Sequence, residues 1–223
     1  FATGHQVGDI ARQLYDPQSL GELIDPQAEG FEAAFARTQH LLTHSRQPIF
    51  EAGFRAGGAL AFADVLLPSD EGDQLGWRMV EVKSSTSVKD YHRDDAAIQA
   101  CVAREAGLAL TAIAVAHIDS GWTYPGQGDY QGLLRESDLS EEAFARADEV
   151  KGWVAQAQAV VQRASAPTLA TGAQCFHPFE CGFYNHCASL EPQAGHPIHW
   201  LPRPGQVVQD HVQAHGVTEL RDL

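Results

Sequence analysis

Residues 77–85 read Trp77-Arg78-Met79-Val80-Glu81-Val82-Lys83-Ser84-Ser85, an apolar segment that ends in an acid, a valine and a lysine. Side chains alternate across a β-strand, so Glu81 and Lys83 point to one face and Val82 to the other. Upstream, residues 59–67 form a second apolar segment that Asp64 interrupts, between Ala59-Leu60-Ala61-Phe62-Ala63 and Val65-Leu66-Leu67. An unpaired carboxylate is costly in such a strand. Pairing of the two strands through a polar loop at 68–76 sets Asp64 beside Glu81. A strand over 49–55 opened by Pro48, and a turn at Gly57-Gly58, complete an antiparallel meander.

The downstream sequence extends the sheet. Residues 94–106 read as a helix closed by Gly107, and 109–116 as a buried strand broken only by Thr111. A strand reached through a helix lies parallel to the one before it. The fold expected is α/β, with a mixed central sheet flanked by helices. Val7, Ile10, Ala11 and Leu14 mark a helix over 4–15, and Phe31, Phe35, Leu41 and Leu42 another over 28–44. A Gly-rich loop spans 121–132, and a long helix over 140–163 starts at Ser140, read as its cap. The tail from Ala188 carries four prolines before a last short helix.

Composition bounds the function classes. The chain has 223 residues, 44% hydrophobic and 20% charged, enough for one sizeable core and too apolar for disorder. No apolar run is long enough to span a membrane, and no signal peptide is visible. The absence of an initiator Met suggests a piece of a longer chain with further domains or partner proteins. A formal charge of −14 argues at first sight against nucleic acid. Yet two of the three lysines, Lys83 and Lys89, fall close together, and Arg55 and Arg93 extend that set toward a basic rim.

Two carboxylates and a strand carbonyl form an incomplete oxygen cage of the kind Mg²⁺ favours. Asp64, Glu81 and the Val82 carbonyl are the candidate ligands, and Lys83 is placed to orient or help deprotonate a water. The plainer reading of Glu81-x-Lys83 is a surface ion pair; the buried setting of Asp64 weighs against it. Cys175, Cys181 and Cys187 are spaced C-x5-C-x5-C in an aromatic-rich stretch. Soft thiolates so grouped suit a 4Fe–4S cluster, or Zn²⁺ with His177 or His186 as fourth ligand, in a reducing, cytoplasmic setting. Cys101 shares a helical stripe with Ile98, Val102 and Glu105 and reads as a buried thiol. The remaining histidines are isolated, and His40 and His44 lack the Glu of an H-E-x-x-H motif. Trp122, Tyr124 and Tyr130 either stack on unpaired bases or pack on one another.

Asp64 followed by Glu81-Val82-Lys83-Ser84-Ser85 resembles the Asp…Glu-x-Lys signature of the PD-(D/E)XK nuclease superfamily. The RecB-like branch is the most similar, including the CRISPR-associated iron–sulfur exonucleases and a related uncharacterised bacterial family. Residues 80–90 resemble its best-marked segment, and Gln99 stands where RecB-like enzymes place a Gln. The helix beginning Gly4-His5-Gln6-Val7-Gly8 resembles the opening motif, and Ile49-Phe50-Glu51-Ala52 the first strand. The resemblance implies a restriction-endonuclease-like α/β/α core over 1–170, a cysteine segment over 171–190 packed on it, and a tail over 191–223. It implies an exonuclease using Mg²⁺ or Mn²⁺ on DNA, single-stranded or with free ends, with Asp64, Glu81, Lys83 and Gln99 as catalytic residues. It also implies a 4Fe–4S cluster on the three cysteines and one further upstream, which this chain lacks.

The sequence departs from that pattern in places. Gly8 takes the position of a metal-binding His, with His5 one turn earlier as a substitute, and Ala103 replaces the Tyr that follows the Gln. Gln99 is otherwise a helix-surface residue, and Glu51 an outer ligand or an ordinary strand carboxylate. A restriction-type or junction-resolving endonuclease shares the same motif. The alternative of another class is a catalytically silent domain that docks protein or DNA.

Overall fold

The computed structural model describes residues 2–71, 74–191 and 194–223 and divides the chain into two compact units, Phe1–Ala164 and Ser165–Leu223. In the first unit the elements run α1 (Ala2–Tyr15), β1 (Glu22–Leu23), α2 (Pro26–Glu29), α3 (Phe31–His44), β2 (Ile49–Ala56), β3 (Ala59–Glu71) and β4 (Gln74–Lys83). They continue with α4 (Asp90–Glu105), β5 (Leu110–Ile118), β6 (Leu134–Asp138), α5 (Ser140–Ala145) and α6 (Ala147–Val161). The sheet order is β1 to β6 in sequence. Pairs β2–β3, β3–β4 and β5–β6 are antiparallel; β1–β2 and β4–β5 are parallel. The mixed α/β sheet is as expected, including the parallel crossover through α4.

Alternation along the strands sorts the core into two layers. Met79, Ile113, Val115, Leu66 and Phe54 pack with Ala96, Ala97, Ala100 and Val102 of α4 and with Val150 of α6. Phe50, Val65, Val80 and Ala116 pack on the other side with Tyr15 of α1. The alanines of α4 let it approach the sheet closely, which fixes how near its polar side chains come to the ends of β3 and β4.

Several boundaries differ from the sequence reading. The stretch 68–76 is not a loop: β3 and β4 continue as a ladder to Glu71 and Gln74, and residues 72–73 lie outside the described residues. Arg46 donates to the Ser69 and Gly76 carbonyls and to Asp70, and stacks over Trp77 at 5.1 Å, which holds this polar extension in strand form. The helix expected over 28–44 is broken at Gly30, whose φ of 83° no helix accommodates. The helix over 140–163 is broken at Arg146, which pairs with Asp94 and Glu149 across the break. Ser140 is not its cap; the Ser140 N–H donates to the Asp138 carboxylate, and its hydroxyl accepts from the Ile113 N–H. Helix α4 begins at Asp90, four residues before the expected 94. β1 and β6 had no sequence signal, being two residues long and a mostly polar edge, respectively.

The second unit holds α7 (Tyr184–Leu190), α8 (Gln206–His215) and three single 3₁₀ turns. The cysteine segment and the tail, read as separate segments divided at 190/191, fall in one compact unit, in which the Thr171 N–H and hydroxyl both donate to Glu191. Among the described residues, no helix is long and apolar enough to cross a membrane.

Candidate active site

The register of β2, β3 and β4 aligns their functional residues. Phe50 pairs with Val65 and Val65 with Val80, so the next residues in register are Glu51, Asp64 and Glu81. The Val82 N–H donates to Asp64 Oδ2 at 2.7 Å, which anchors that carboxyl across the strand pair. Glu81 is buried and held on both sides: Gln99 Nε2 donates to Oε2 at 2.6 Å and Lys83 Nζ to Oε1 at 2.7 Å. Lys83 Nζ donates in addition to Asp95 Oδ2 at 2.6 Å. Gln99 and Asp95 stand at i and i−4 on α4, so one helical stripe fixes both the acid and the lysine.

Electrostatics follow from this packing. Burial raises the Asp64 carboxyl above its ordinary range, opposed by the Val82 N–H and Lys83. Burial and then the Asp64 charge hold Glu81 well above it, with Lys83 opposing. The two carboxyls lie close enough to share a hydrogen bond. Lys83 is held as an ammonium, because Glu81 and Asp95 outweigh the effect of burial.

These groups open onto a cavity of about 660 Å³. Its lining includes Asp64, Glu81, Val82, Lys83, Glu51 and, from α1, His5, Gly8 and Arg12. Glu51 sits in the strand with φ of 57°, a strained conformation for a non-glycine residue and a kind that clusters at functional sites. Burial and then the Asp64 charge push its carboxyl up to about 7. His5 is exposed at the rim. A Cβ built on Gly8 meets nothing within 4 Å, so the side chain missing there leaves open space.

The sequence therefore brings together Asp64, Glu81, Val82, Lys83 and Gln99, and Gln99 is buried rather than on the helix surface. Asp95 was missed. Its signal was available in the i−4 spacing from Gln99, at the first turns of the helix that follows the Glu81-x-Lys83 strand. The expected basic rim does not form around the cavity: Arg55 pairs with Glu32 and Arg93 with Glu142, and neither they nor Lys89 line it.

Among the described residues, no three His, Cys, Asp or Glu side chains converge as a metal-binding group. Two carboxylates with the Val82 carbonyl still suit a hard dication, because a buried like-charged pair is relieved by a cation. Cys175 is buried, Cys181 and Cys187 are half-buried, and all are free; the Cys181 N–H donates to the Cys175 carbonyl at 2.7 Å. Cys101 is a buried thiol between α4 and α6, with its Sγ directed to the Ala147 carbonyl.

No family model matches this chain, and no curated protein matches it. A solved structure described as that of SSO0001 is similar over 73% of this chain and 75% of its own, at 12% identity and a TM-score of 0.28. A likeness so slight carries no argument.

Proposed function

We propose that the chain is a metal-dependent nuclease of the PD-(D/E)XK type that hydrolyses DNA phosphodiester bonds, as an exonuclease. The observation that carries this reading is the half-buried Asp64 and the buried Glu81 beside a fixed lysine ammonium, open to a cavity. Asp64, Glu81 and the Val82 carbonyl are the residues that would hold Mg²⁺ or Mn²⁺. When bound there, the ion neutralises charge on a phosphate and makes a water more acidic.

The chain's own residues prepare that chemistry. Gln99 and the Val82 N–H fix the two carboxyls by one hydrogen bond each, so neither has to be ordered when substrate arrives. Asp95 holds Lys83 at the cavity wall. From there the ammonium orients a water or meets a phosphate oxygen, and its charge favours the negative charge that develops during in-line attack.

A second reading, a catalytically silent docking module, draws on one observation. Both Arg12 and Lys83, the cavity's Arg and Lys, are already paired with carboxylates. The two readings separate in one assay, using end-labelled linear and circular single strands with Mn²⁺. The nuclease reading expects degradation of the linear strand by the wild-type chain. Lys83→Ala should slow it at least about 10²-fold while retaining Mn²⁺ binding. Divalent-ion binding that disappears in Asp64→Ala, without cleavage by the wild type, selects the docking module.

A further inference from the structure

We infer that Trp122, Tyr124 and Tyr130 form a platform on which unpaired nucleobases of the substrate strand stack. This rests on the nuclease reading and adds a substrate class to it. The three rings lie in the connection between β5 and β6, with centroids 5.9 Å (Trp122–Tyr124), 6.2 Å (Trp122–Tyr130) and 5.3 Å (Tyr124–Tyr130) apart. Tyr130 is within 25° of parallel to both other rings. None of the three belongs to either core cluster, and Tyr124 is 49% exposed.

The loop is built rather than collapsed. Its neck closes where the Asp119 N–H donates to the Leu133 carbonyl at 2.8 Å. Trp122 Nε1 donates to the Gln131 carbonyl at 2.8 Å, and the Gly128 N–H donates to the Tyr124 hydroxyl at 2.7 Å. Left-handed backbone at Gly126, Gln127 and Gly128 turns the chain around the rings. The rings are thus ordered before any ligand arrives, which lowers the cost of binding.

Position and charge define the ligand. Strands β4 and β5 run parallel, Lys83 pairs with His117, and the Ile118 N–H donates to the Ser85 carbonyl at 2.9 Å. The aromatic loop therefore leaves the sheet beside the strand end that carries Glu81 and Lys83. Residues 119–133 contain no Lys or Arg and include Asp119 and Asp129, so the loop offers nothing to a phosphate. What it offers is ring faces, and every unpaired base has a face to stack on them. In a duplex those faces are already stacked.

The test is equilibrium binding in Ca²⁺ of three fluorescein-labelled probes: a twelve-residue oligothymidylate, the same backbone with abasic sites, and a blunt duplex. The wild-type chain should prefer the oligothymidylate to the abasic strand by about 5- to 100-fold per stacked base. Tyr124→Ala should remove that preference and leave duplex binding unchanged. Tyr124→Phe loses the Gly128 hydrogen bond but keeps the ring, and should retain it. Equal affinity of the wild type for the first two probes overturns the inference, as does an unaltered preference in a folded Tyr124→Ala. Base preference with no Mn²⁺-dependent cleavage leaves the platform standing and removes the nuclease reading. Cleavage with no base preference does the reverse.

Discussion

The two units treat their reactive side chains in opposite ways. In Phe1–Ala164, the half-buried Asp64 and Lys83 and the buried Glu81 are tied to one another by Gln99, Asp95 and the Val82 N–H. In Ser165–Leu223, Cys175 is the one side chain among the described residues that is fully buried, while Phe179, Phe183, Leu190 and Trp200 are exposed. A sheet with α4 packed on it can hold an unfavourable carboxylate pair, because the surrounding packing outweighs the repulsion. A unit with so little interior gains comparatively little from burial.

The sharpest way to break this comparison is at Asp64. Asp64→Asn keeps an oxygen for the Val82 N–H but removes one of two buried charges. Cleavage should fall about 10²–10⁴-fold, while the melting temperature in chelator at pH 8 rises. A fall in melting temperature would show that the pair is not held against repulsion.

Next in size is the packing itself. Phe54 is 1% exposed and Phe183 is 72% exposed. Phe54→Ala should cost about 3–5 kcal/mol in urea unfolding, and Phe183→Ala within about 0.5 kcal/mol. Comparable costs at the two positions would mean that the second unit has an interior after all.

Gln99→Ala removes one hydrogen bond to a charged partner, worth about 1.5–3 kcal/mol. It should lower cleavage about tenfold or more, with a smaller effect on the melting temperature than Phe54→Ala.

The smallest effect is a pH dependence. Glu51 titrates at about 7 in the fold against an ordinary 4.5, so folding favours its protonated form. Its contribution to stability is full below pH 4.5 and is lost as pH rises through 7. Glu51→Gln should flatten the fall in urea midpoint across that window. Mn²⁺ should stabilise the wild type more at pH 8 than at pH 5.5.

Much of this was legible in residues. Asp64 declared itself by breaking an apolar strand, and Glu81-Val82-Lys83 by an alternation that shares one face. The crossover through α4 followed from a helix between two buried strands. The turn-like reading of 68–76 failed because Pro68, Ser69 and Gly76 look like loop residues, while Arg46, distant in sequence, donates to the Ser69 and Gly76 carbonyls. Asp95 escaped for a related reason. It is an ordinary acid locally, and only its neighbour across the fold, Lys83, makes it matter.

By itself, the sequence determined the order of β2 to β5, the parallel crossover and which carboxylate shares a strand face with Lys83, because these depend on local periodicity and chain connectivity. The tertiary structure alone decided that Lys83 is paired with two acids and that Gln99 is buried on Glu81. Those outcomes depend on desolvation and on the approach of α4 to the sheet, which no single segment encodes.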